Sequence, residues 1–69
     1  MSAFDDLAEQ VADLEARVAD ELFGAVRAQL GGDARAAEVE RQLARVRRSL
    51  LKAEALLRAL SDQEDEAAR

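Results

Sequence analysis

Apolar residues recur along this chain at helical rather than strand spacing. In the second half, Ala36, Val39, Leu43, Val46, Leu50, Ala53, Leu57 and Leu60 are separated by alternating steps of three and four. That is a continuous heptad pattern, expected of a helix whose apolar seam lies against another helix. In the first half, Phe4, Leu7, Val11, Leu14, Val18, Leu22, Val26 and Leu30 begin with the same alternation. After Val18 every step is four, so the stripe drifts around the helix. Between the two runs stands Gly31-Gly32-Asp33. Glycine ends a helix at low cost because it accepts positive φ, and aspartate caps the helix that follows. Ser2 sits three residues before Asp5, a spacing close to a capping box. The pattern therefore predicts helices over 3–30 and 34–61 with a turn at 31–33.

The two seams test each other. If the chain doubles back at Gly31-Gly32, opposed residues have numbers adding to a constant near 64. Phe4 then meets Leu60, Leu7 meets Leu57, Val11 meets Ala53, Leu14 meets Leu50 and Val18 meets Val46. Leu22 with Leu43, Val26 with Val39 and Leu30 with Ala36 follow within two residues of the same register. The expected fold is all-α: an antiparallel two-helix coiled-coil hairpin with arms of about 40 Å, able to pair into a four-helix bundle.

Composition narrows the chemistry. The 69 residues contain no Cys, His, Trp, Tyr or Pro. A disulfide scaffold, a zinc site and a Cys or His nucleophile are excluded on those grounds. Nearly half of the apolar residues are alanine, and charged residues make up 36% of the chain. No uncharged stretch approaches the roughly 18 residues of a membrane span. The opening Met1-Ser2-Ala3-Phe4-Asp5-Asp6 has neither a basic nor an apolar region, so no secretion signal is expected. Residues 62–69 contain no large apolar side chain and are expected to form an acidic, flexible tail.

Charge is divided along the chain. Residues 1–30 hold seven acids and two arginines, whereas residues 31–61 hold four acids and seven bases. The arms should attract, with Glu15 and Arg47 at flanking positions that can meet, although exposed pairs contribute only about 0–1 kcal/mol each. Arg41, Arg45, Arg48 and Lys52 form a basic stripe on the second helix. With a net charge of −5 and no Tyr or Trp for stacking, nucleic acid is not the expected partner. Membrane surfaces are disfavoured by the same net charge. Carboxylates on a slender hairpin should face water with ordinary pKa values, and two helices alone make no substrate pocket. No catalytic residue, metal or cofactor is expected, and no small-molecule substrate.

Several apolar residues fall off the seams. Phe23 lies on the far side of the first helix, Leu51 points away from the seam beside Leu50, and Leu56 projects from the opposite flank. Ala8, Ala12 and Ala19, with the drifting Val26, extend along one side of the first helix, and Leu51 should stand level with Ala12 on that side. Scattered surface apolars are ordinary. A smooth alanine strip with Phe23, Leu51 and Leu56 near it also suits a third helix, from another protein or a second copy. Gly24, beside Phe23, is either a tolerated glycine, a bend or a place of close approach.

In its size, in Leu30-Gly31-Gly32-Asp33-Ala34 between two helices, and in the apolar run Ala53-Glu54-Ala55-Leu56-Leu57-Arg58-Ala59-Leu60, the chain resembles the small E-type co-chaperones of the type III secretion needle protein. It departs from them after the turn, where Arg35-Ala36-Ala37-Glu38 replaces a Gln and Tyr. The resemblance implies a cytoplasmic helical hairpin that binds a larger helical-repeat chaperone, the two together shielding the needle subunit from premature polymerisation. It supplies no catalytic residues. The opening Phe4-Asp5-Asp6 is also similar to the small subunit of exodeoxyribonuclease VII, with poorer agreement in the later spacing. The expectation is a non-enzymatic interaction module binding a protein partner, or itself, through Ala12, Ala19, Phe23, Val26, Leu51 and Leu56.

Overall fold

A computed structural model describes residues 2–67. Two helices, α1 (Ala3–Leu30) and α2 (Ala34–Ala67), pack against each other along their length. The molecule is an all-α antiparallel hairpin measuring 57 × 15 × 11 Å.

Local chemistry sets the ends of the helices. The Ser2 hydroxyl accepts the Asp5 backbone N–H at 3.1 Å and caps α1. At the turn, the Gly32 N–H donates to the Gln29 carbonyl and the Asp33 N–H to the Ala28 carbonyl, each at 3.0 Å. These are the two reversed bonds of a Schellman motif. Gly32 carries the left-handed conformation it requires, with φ of 96°, while Gly31 does not. The Asp33 carboxylate then accepts the Arg35 N–H at 2.9 Å and caps α2.

The register agrees with the doubled-back expectation. The Ser2 and Ser61 hydroxyls hydrogen-bond at 3.0 Å across the open end, with Ser61 almost fully buried. Leu57 shares a groove with Leu7 and Leu14, and Val39 shares one with Gly24 and Ala25. Ser2 with Ser61, Leu7 with Leu57, and Val39 with Gly24 and Ala25 have numbers adding to 63 or 64, and Leu14 lies one heptad further along α1.

The phase of the seams differs from expectation. On α1 the covered positions are Ala8, Glu15, Leu22 and Ala25, alternating with Val11 and Val18. On α2 they are Ala36, Leu43, Leu50 and Leu57, alternating with Glu40, Glu54 and Ser61. Both sets keep the heptad, but each helix is turned by about 50° from the phase that its large residues define, at 100° per residue. Leu7, Leu14, Val39, Val46 and Leu60 are left between 41 and 48% exposed, and Leu30 83%. Two helices touch along one line only. Ala8, Ala25 and Ala36 on that line let the backbones approach, and the larger side chains flank it.

The helix α2 also runs past the expected end at Ser61 to Ala67, with 62–67 exposed. Once a helix is nucleated, each added residue gains a hydrogen bond without needing an apolar contact. The rest of the expected tail, residues 68–69, lies outside the described residues.

Candidate functional site

Because the helices are antiparallel, a turn of the same sense about each axis brings both displaced edges to the same side of the hairpin. One broad face therefore carries Leu7 and Leu14 from α1 and Val39, Val46 and Leu60 from α2. Shallow grooves on it are lined by Leu7, Leu14 and Leu57, and by Val46, Leu50 and Ala53.

The opposite face carries most of the residues expected to bind a partner. At 100° per residue, Ala12, Ala19, Phe23 and Val26 fall within an arc of about 60° on α1. Leu51 lies on the same side of the hairpin, at the level of Ala12. Ala12, Ala19 and Val26 are half-buried, whereas Phe23 is 63% exposed and Leu51 is also exposed. Leu56 is exposed too, but it stands about 140° around α2 from Leu51 and does not join them. Half-buried Ala37 and Ala44 do join them, in heptad steps before Leu51. That spacing was visible in the sequence but was masked by the stronger Leu-Val seam.

Gly24 lies within an unbroken α1, and a Cβ built there would meet only the tip of the Arg27 side chain, at 3.9 Å. The close approach of α2 does not depend on it.

The carboxylates are not all ordinary. Glu15 is buried against α2, where its carboxyl meets that of Glu54. The hydrogen bond with Glu54, desolvation and the Glu54 charge raise Glu15 above the usual glutamate range, partly opposed by the charges of Arg47 and Arg58. Glu54 is lowered, first by the hydrogen bond from Glu15 and then by that from Arg58. The Arg58 guanidinium lies 2.8 Å from the Glu54 carboxylate. Glu15 thus turns to Glu54 rather than forming the expected pair with Arg47, which is exposed. The other ion pair among the described residues, Glu38 with Arg41, also lies within α2. Its hydrogen bonds to Arg41 and Gln42 hold Glu38 below the usual range. The Glu15–Glu54 pair sits between the two helices, and neither residue lines the grooves described above, so its position reads as structural.

Among the described residues, no group of three acidic or other ligating side chains is placed to hold a metal ion. No helix among them is long and apolar enough to cross a membrane. Comparison with protein families, with characterised proteins and with solved structures finds no match for the chain.

Proposed function

We propose that this chain is a non-enzymatic protein-interaction module, a small helical co-chaperone or accessory subunit that docks a partner protein on an apolar helix face. One observation carries the reading. The buried apolar core consists of Ala8, Ala25 and Ala36, while nine large hydrophobic side chains stand exposed. A core of three alanines supplies little of the burial that a chain of this size needs, and such chains ordinarily gain the rest by association.

The face of Ala12, Ala19, Phe23, Val26 and Leu51 suits a helix from another protein. Its alanines permit close backbone approach, and Phe23 and Leu51 provide anchors at its two ends. Leu56, on the other flank of α2, is not part of that contact. The resemblance to needle-protein co-chaperones favours a larger helical-repeat chaperone as the partner, in the cytoplasm, with a shielded secretion subunit as the cargo. Leu51→Asp and Phe23→Asp are expected to keep the helical circular dichroism of the parent and to lose a stoichiometric companion that copurifies with it. A companion retained at full yield by both helical variants overturns this face as the docking site.

A further inference from the structure

The face opposite Phe23, with exposed Leu7, Leu14, Val39, Val46 and Leu60, is left unassigned by this docking. Along its α2 side run Val39, Gln42, Val46, Ser49, Ala53 and Leu60, a stripe without charge between Arg35 and Glu64. Across the groove stand Leu7, Gln10 and Leu14, with Asp13 and Arg17 beside them. Half-exposed valine and leucine on an uncharged α2 stripe, with Asp13, Arg17 and Arg45 around them, match the apolar centre and polar rim of an interface.

The area available can be set against what a dimer needs. A compact protein of 7.5 kDa exposes about 4250 Å². This chain exposes 5293 Å². The excess of about 1000 Å² per copy comes from the elongated shape, and pairing two copies side by side would remove surface on the scale of a stable dimer interface.

We propose that a second copy of the chain covers this face, forming a four-helix bundle with both turns at the same end. Two-fold symmetry allows two face-to-face arrangements. If the axis runs parallel to the helices, α1 of one copy lies antiparallel on α2 of the other. If it runs across them, α1 lies on α1 and α2 on α2. The seven acids and two arginines of residues 1–30 repel their own copy and attract the seven bases and four acids of residues 31–61. Charge therefore selects the first arrangement. The register near 64 then holds between copies as well as within each. It sets exposed Asp13 level with Lys52 of the second copy, and exposed Glu21 level with Arg45. This pairing goes beyond the docking of a different protein and does not depend on it, because the two use opposite faces.

The test joins a mass measurement with a distance. Sedimentation equilibrium of the pure chain is expected to give twice 7.5 kDa. Leu14→Gln combined with Val46→Gln should return it to the single-chain mass, whereas Phe23→Gln should leave it doubled. A spin label on Ala34→Cys, beside the turn and exposed, should report an inter-label distance far shorter than the 57 Å length of the molecule. If the double variant loses helicity, the label distance in the otherwise unaltered chain decides. A single-chain mass at every concentration overturns the pairing, as does a label separation near the molecular length. So does a dimer that Phe23→Gln dissolves. A monomer that still binds its companion through Phe23 and Leu51 refutes the bundle and leaves the docking face standing.

Discussion

Glu15 is covered by α2 on a line otherwise made of small and apolar side chains, and its carboxyl faces that of Glu54. Its pKa is raised in the fold, so near and just above the ordinary glutamate range the folded state binds the extra proton. Stability gained through this group is present at acid pH and is lost as pH rises through the raised value. Glu54 and Glu38 act in the opposite sense. Their pKa values are lowered, so their contribution stands at neutral pH and is lost as pH falls below the ordinary range. The melting temperature should therefore pass through a maximum on the mildly acid side of neutrality. Glu15→Gln keeps an amide donor for Glu54 and removes the opposed charge. It should melt higher than the parent at neutral pH and lose that advantage in mild acid, as thermal melts followed by circular dichroism across this range will show. Equal pH profiles for the two proteins would contradict the carboxyl pair. Nothing in the heptad pattern announced it: an acid one step from Leu14 reads as a flanking charge until the phase of the helix is known.

At the scale of the helices, the ends were legible and the phase was not. Ser2, Gly32 and Asp33 act through bonds to backbone groups two to five residues away, so their roles follow from local sequence. The seam depends on which side chains let two helices approach, and that is settled between elements. The large residues mark the apolar half of each helix, but Ala8, Ala25 and Ala36 mark the line of contact. That Ala12, Ala19 and Phe23 share one side of α1 was legible for the same reason as the ends, because they follow one another at helical spacing on a single element. Leu56 was misplaced with them because a residue on a flank is assigned only once the seam is fixed. Two substitutions separate local from cross-helix effects. Gly24→Ala meets only the tip of Arg27 at van der Waals distance and replaces a poor helix former, so it should stabilise α1 by about 1 kcal/mol in denaturant unfolding. Destabilisation there would show that the glycine is bent or closely packed. Ser2→Ala removes the cap of α1 and the partner of the buried Ser61 hydroxyl together. It should cost about 1–2 kcal/mol, more than Asp33→Ala, which removes a cap alone.

At the scale of the molecule, elongation and charge act together. The radius of gyration is 16.1 Å, against about 11 Å for a compact chain of this length. The last residues of α2 contribute length without burial, because 62–67 are exposed throughout. Residues 62–69 also hold four acids and one arginine, most of the net charge of −5. In a bundle with both turns at one end, the two acidic segments lie together at the other end and repel. Truncation after Ser61 should leave the helical content per residue and the Ser2–Ser61 contact intact while tightening self-association. Added salt should weaken the truncated chain, whose copies attract through α1 and α2, and weaken the full chain less because tail repulsion is screened as well, since the Debye length falls from about 10 Å at 0.1 M to about 3 Å at 1 M. If the copies ran in opposite directions, each tail would lie beside the basic start of the other copy's α2, at Arg35 and Arg41. Truncation would then weaken the dimer. The direction of the shift in dissociation constant, measured by sedimentation with and without residues 62–69, thus reports the orientation of the copies independently of any label.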